Sequence, residues 1–169
     1  MLFLLADIIG RPVIAIPDGT PLGKVADPVF DAARGKVVAY RLGGRTRRLV
    51  STVDVTTYLE DAVSVNGADA AQDAGDLPSI RPLLEEPVRL LGATVVTDAG
   101  RRLGRVKECT IETDGHFLTK LHVAPPIWRP AARELILPRE AVIRFERKRV
   151  VVRYDEKVRP TELEPETAP

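Results

Sequence analysis

The side chains with the widest chemical repertoire in this chain are Cys109, His116 and His122, seven and then six positions apart. A thiolate beside an imidazole can act as nucleophile and base, and the same donors can hold zinc. Structural zinc sites draw their ligands in closely spaced pairs, and these intervals fit no familiar pattern. No helix start suited to an oxyanion and no orienting carboxylate motif accompanies them. The two histidines therefore read as strand-surface or core-rim residues, and the chain as non-catalytic, with no metal and no cofactor. Gly100-Arg101-Arg102-Leu103-Gly104 matches neither a dinucleotide-binding fingerprint nor a phosphate loop. It precedes a strand and lacks the helix N-terminus that would hold phosphate, so it reads as a hairpin turn. Asp18, Asp31, Asp98 and Asp114 occupy turn positions, more thinly than the carboxylates of a calcium loop.

Two surface features remain. Basic residues gather at Arg45, Arg47 and Arg48, at Arg101, Arg102 and Arg105, and at Arg144, Arg147, Lys148, Arg149 and Arg153. Such clusters suit RNA or a ribosomal partner, but they read first as a solvated face. Surfaces that stack RNA bases interleave aromatics with the charges, and only Phe145 and Tyr154 lie near, both assigned inward. The second feature is "APPIWRP", residues 124–130, where the only tryptophan, Trp128, stands with Ile127 and Arg129 between stiffening prolines. A rigid exposed aromatic anchors interfaces well; the same ring could instead cap a barrel or fill a groove between two.

The elements that position these residues follow from composition and repetition. With 169 residues, 44% hydrophobic and 29% charged, the chain can bury one ordinary core or two small ones. Fourteen prolines, twelve glycines and few aromatics suit short strands joined by turns. The net charge of +1 hides an uneven distribution: residues 88–159 hold sixteen basic against nine acidic residues, and 66–87 hold one against five. The basic half can thus be offset within the molecule. One cysteine forms no internal disulfide, so nothing requires an oxidising compartment and a cytoplasmic location is expected. No apolar run is long enough to cross a bilayer, and peripheral membrane association would need a membrane-bound partner. Residues 1–6 are too short for a signal sequence; they read as a buried strand or a partner-contacting end, able also to mediate homodimerisation.

"IIGRPVIAIPDGTPLGKVAD" at residues 8–27 returns as "LLGATVVTDAGRRLGRVKE" at 90–108. Gly10, Gly19, Gly23 and Gly35 match Gly92, Gly100, Gly104 and Gly115 at offsets that drift from 82 to 80. Apolar positions correspond as well, Val25 with Val106 and Phe30 with Ile111. After a jump to an offset of 87, Leu49, Val50, Tyr58 and Val65 meet Ile136, Leu137, Phe145 and Val152. One module is used twice, and the second copy carries about seven extra residues around "VAPPIWRPAAR".

Each copy reads as five or six short strands, with a hairpin turn at Asp18-Gly19 and a short helical loop at 51–55. Alternation points Val63, Val65, Val150, Val152 and Tyr154 inward, and Arg149, Val151 and Arg153 outward. The odd separations Val25 to Phe30 and Val106 to Ile111 require a β-bulge in each copy, in the first near Pro28. Closing each set of strands into a small barrel would remove the sheet edges. The predicted fold is all-β, two tandem small barrels at 1–65 and 88–159 with short helical turns. Residues 66–87 read as a linker whose second half packs as a helical turn, and 160–169 as a disordered acidic tail.

The glycines and apolar positions of "IGRPV…DGTPLGKV.D.VFD…GKVVAY" and "LGATVVTDAGRRLGRVKE.TIE.DGHFL" resemble the PRC-barrel domain, found in the photosynthetic reaction-centre H subunit and the ribosome maturation factor RimM. The tandem arrangement looks more like the stand-alone tandem PRC-barrel proteins of bacteria than like either of these. The H subunit has a membrane-spanning helix and the ribosome factor an unrelated first barrel, and neither has a counterpart here. The resemblance implies an adaptor or scaffold that binds another protein, through Ile127, Trp128 and Arg129, the groove between barrels or the apolar N-terminus. The alternative is an RNA-processing or ribosome-maturation accessory. It would bind RNA or a ribosomal protein through Arg45, Arg47, Arg48, Arg101, Arg102, Arg147, Lys148 and Arg149.

Overall fold

The computed structural model describes residues 1–45 and 47–155; the expected acidic tail lies outside them. In chain order the first copy comprises β1 (Leu2–Leu4), α1 (Leu5–Ile8), β2 (Pro12–Ile16), β3 (Thr20–Asp31), β4 (Lys36–Leu42), β5 (Arg48–Ser51), β6 (Val55–Tyr58) and β7 (Val63–Asn66). The connecting stretch forms β8 (Ala71–Asp73) and α2 (Arg81–Glu85). The second copy comprises β9 (Thr94–Thr97), β10 (Arg102–Glu112), β11 (Leu118–Ala124), β12 (Leu135–Pro138), β13 (Val142–Phe145) and β14 (Arg149–Val152). Two seven-stranded sheets result, in the orders β6-β7-β2-β3-β4-β5-β8 and β12-β11-β10-β9-β14-β13, with β1 added to β10. Neighbours run antiparallel except β7 beside β2 and β14 beside β9, which run parallel.

The chain is all-β as its turns and alternation predict. Each sheet curves about the core, yet its end strands share no backbone ladder among the described residues. Single 3-10 turns at Thr52–Asp54 and Arg139–Ala141 carry the chain round the corner in each copy.

Bulges set the curvature, and they are duplicated. On β3 the register skips between Val25 and Asp27, leaving Ala26 as the extra residue; on β4 it skips Val38. On β10 and β11 the extra residues are Lys107 and Thr119. The bulge required by the odd Val25 to Phe30 spacing thus falls at Ala26, not at Pro28, which stays in register with Tyr40. The extra residue re-aims the strand so that both Val25 and Phe30 enter the core.

The copies share one core. Val13, Val25, Phe30, Val37, Tyr40 and Val65 from the first pack in the same cluster as Val95, Val106, Ile111, Leu118, Leu121 and Val152 from the second. The arrangement is a pseudo-two-fold: the Val37 amide donates to the His116 carbonyl at 3.0 Å, and the Leu118 amide to the Gly35 carbonyl at 2.9 Å. Val37 and Leu118 occupy equivalent positions, so the two bonds are reciprocal, and the Lys36–Phe117 bridge lies on the axis. Gly35 (φ 68) is therefore matched by His116 (φ 62), the one described non-glycine residue with positive φ, and not by Gly115 as the sequence alignment has it. β1 breaks the symmetry. It belongs to the first copy in sequence but pairs with Thr110–Glu112 of the second, while α1 sends Leu5 and Ile8 into the core.

Alternation assigns Val63, Val65, Val150 and Val152 correctly to the interior, and Tyr154 packs against it. Val151, assigned outward, is buried as well, as is Ser64 at its equivalent. Both sit in strands flanked on each side, β14 by β13 and β9, β7 by β6 and β2. In the first copy the outer face carries a second cluster, where Ile80 from the connecting stretch covers Val29, Ala39 and Leu49, with Leu83 and Leu84 of α2 beside it. No helix among the described residues is long and apolar enough to cross a membrane.

Candidate functional site

The inserted loop between β11 and β12 gathers the residues on which the sequence focused. Its turns are held by the Arg129 amide on the Pro126 carbonyl (2.9 Å) and the Ala132 amide on the Arg129 carbonyl (3.0 Å). Proline rings at 125, 126 and 130 restrict the backbone between them. Across from it, the turn before β10 is fixed by the Thr97 amide on the Arg101 carbonyl (2.8 Å) and the Arg101 amide on the Thr97 Oγ1 (3.1 Å). The two segments enclose a cavity of about 160 Å³ lined by Arg101, Arg102, Arg129 and Arg133, with Tyr154 and Leu135 as apolar walls. No acidic side chain among the described residues lines it.

Trp128 does not line this cavity but stacks on Arg102, which does, and it is no part of the core that the two copies share. It is 59% exposed, with the Arg102 guanidinium over its ring at 4.8 Å, and Ile127 beside it is 92% exposed. The stack presents a flat cationic and aromatic surface, worth about 0.5–1 kcal/mol when exposed and more once desolvated. Arginine forks suit carboxylates and phosphates, through paired, charge-assisted hydrogen bonds. Arg102 and Arg129 border this volume from the two facing segments, and a carboxylate or phosphate entering it would meet both.

The structure thus joins Arg101 and Arg102 of the basic set with Arg129 and Trp128 of the loop, and adds Arg133, which the sequence reading quoted without singling out. Its signal was its place in the inserted segment. The other basic residues are not part of this cavity. Arg45 and Arg47 lie in the β4–β5 loop and Arg48 opens β5, paired across to Asp73. Arg147, Lys148 and Arg149 sit on the β13–β14 hairpin, at the opposite end of the strand order from β12, and Glu146 engages both Arg144 (3.0 Å) and Arg149 (3.9 Å).

The thiol and imidazoles are placed apart from this cavity. Cys109 is fully buried in the shared core, and burial, then the neighbouring Glu108 charge, push its thiol far above the ordinary range. A thiol held neutral in this way lacks nucleophilic character. His122 lies on the outer face of β11, with Nε2 3.0 Å from the Thr110 Oγ1 and Nδ1 3.6 Å from Glu134. Glu134 also pairs with Lys107 at 3.1 Å. His116 sits at the pseudo-axis, 5.8 Å from the Tyr58 ring, and its buried Nε2 has no hydrogen-bond partner among the described residues. Burial, then the Lys36 charge, lower its pKa against the pull of Glu112 and Asp114. Among the described residues no three His, Cys, Asp or Glu side chains come together as a cage for a metal ion.

No curated protein matches the chain. The family model of the PRC-barrel domain matches residues 1–70 and again 86–159, the two copies that share the core. The chain is therefore a member of the PRC-barrel domain family, carrying that domain twice.

Proposed function

We propose that this protein is a non-catalytic adaptor whose second PRC-barrel domain binds an acidic segment of a protein partner. The observation that carries the reading is that Arg129, on the loop by which the two copies differ, shares a cavity with Arg102, on which Trp128 of the same loop stacks. A duplicated module that acquires extra residues at one place acquires surface there, and this surface is cationic, aromatic and stiff. Carboxylates entering it would meet guanidinium groups fixed by two anchored turns, and Trp128 would lose solvent on its free face. A cytoplasmic location is part of the proposal, since the single buried thiol needs no oxidising compartment. Any membrane association would come through the partner.

Trp128 fluorescence reports the test directly, because it is the only tryptophan. A glutamate-rich peptide titrated at low salt is expected to shift its emission, and Arg129→Gln or Arg102→Gln to weaken binding about tenfold, the scale of one charge-assisted hydrogen bond. Trp128→Ala, followed by titration calorimetry because it removes the only tryptophan, should weaken binding with little change in unfolding midpoint, because the ring is exposed. A steeper response to single-stranded RNA than to the peptide, with the strong salt dependence of counterion release, would favour the RNA-accessory reading instead.

A further inference from the structure

The two copies solve the same problem differently at one edge. In the first, β5 is covered by β8: Arg48, Leu49 and Val50 pair antiparallel with Asp73, Gln72 and Ala71. In the second, the equivalent strand β12 ends the sheet, with no described strand on its outer side. Register fixes the equivalence, since Val50 lies opposite Tyr40 as Leu137 lies opposite Leu121, and Leu49 opposite Arg41 as Ile136 opposite His122. On the adjoining face Leu49 is 1% exposed because Ile80 packs over it, whereas Ile136 is 47% exposed. The three positions that β8 uses correspond to Leu135, Ile136 and Leu137; proline enters only at Pro138, beyond them.

We propose that β12 accepts an antiparallel strand from a protein partner as β5 accepts β8, with acidic residues at that segment's C-terminal end entering the arginine cavity. The direction follows from the first copy. Asp73, the last residue of β8, lies across from the first residue of β5, so a strand on β12 runs from Leu137 towards Leu135. Leu135 is itself a wall of the cavity that Arg102 and Arg129 line. An added strand therefore delivers its final residues to the guanidinium groups. Main-chain hydrogen bonds would supply affinity and the arginines selectivity for acid. The inference rests on the acidic-segment reading above and adds the strand, its edge and its polarity.

The test uses the full chain, isotope-labelled, and a blocked peptide with the sequence of residues 68–80, which contains the natural edge strand followed by Asp76. Amides of Leu135–Leu137 are expected to shift and the outward-facing one to exchange about tenfold more slowly at saturating peptide. A peptide carrying Asp73→Asn and Asp76→Asn should bind at least about fivefold more weakly at low salt. Shifts confined to Trp128 and the arginine side chains would overturn strand addition while leaving acidic recognition standing. β12 amides that respond equally to both peptides would overturn the acidic end, and with it the proposed function. Protection of β12 before any peptide is added would mean that the edge is already filled by this chain or a second copy, and the partner strand would be wrong. No shift at millimolar peptide would sink both.

Discussion

The duplication provides an internal control for one backbone position. Gly23 and Gly104 are equivalent, lie across from Val13 and Val95, and have φ of 137° and 148°. Replacing either with alanine forces an L residue into a region that costs about 1–3 kcal/mol. The surroundings differ. A Cβ on Gly23 would touch the Leu42 Cβ at 3.5 Å, an ordinary contact, whereas a Cβ on Gly104 would drive into the Ala124 carbonyl oxygen and come within 3.2 Å of the Val123 Cγ1. Relief requires parting β10 from β11 at the Arg105–Ala124 pair. Overpacking of this kind adds about 1–3 kcal/mol. The gain from a stiffer unfolded chain is common to both and cancels in the difference. Gly104→Ala should therefore destabilise by about 1–3 kcal/mol more than Gly23→Ala, read from urea midpoints at constant m. Equal destabilisation would refute the packing argument, because backbone strain alone would then account for both.

Two further outcomes follow from buried polar groups. The Tyr40 and Tyr58 hydroxyls face each other at 2.8 Å inside the core, and Tyr40→Phe or Tyr58→Phe strands the remaining hydroxyl at a cost of about 1–3 kcal/mol. The double substitution should cost less than the two singles combined, and a strictly additive double-mutant cycle would show that the bond contributes nothing in solution. For His116 the folded pKa lies below the unfolded one, so the unfolded state binds the proton more readily. Stability should fall as pH drops through the ordinary imidazole range of about 6.5, and the slope should flatten in His116→Asn, which tolerates the left-handed backbone. An unchanged slope between pH 7.5 and 5.5 would assign the effect to other groups.

What the sequence made readable was whatever repeats. Matched glycines and apolar positions carried the two-copy architecture, the run of short strands in each copy and the need for a bulge, because those are local constraints that the duplicated chain must satisfy twice. The bulge site was misplaced at Pro28 because proline signals a broken ladder, while the ladder here is broken beside it, at Ala26. Gly35 was matched to Gly115 because glycine is the usual residue at positive φ, whereas the reciprocal bonds at the axis give that conformation to His116. The crossing of β1 and the covering strand β8 were beyond reach, since neither has a counterpart in the other copy. The site was half readable: tryptophan and the arginine pairs stood out by type, but their meeting depends on the approach of the inserted loop to the turn before β10.

The shared core also limits where the two copies can diverge. Residues pointing inward serve both copies at once, so a change there disturbs packing across the pseudo-axis, where cavities and overpacking alike cost free energy. Outward positions carry no such constraint, and it is there that the copies part: Val29, Ala39 and Leu49 become Thr110, Lys120 and Ile136. The first set is apolar because Ile80 covers it; the second is mixed and carries His122 and Glu134 in contact with its neighbours. Among the described residues one connecting stretch serves two equivalent outer faces, and it covers the first. On the proposed function, recognition of another molecule falls to the outer face and loops of the second copy, where a strand edge and an arginine-lined cavity adjoin at Leu135.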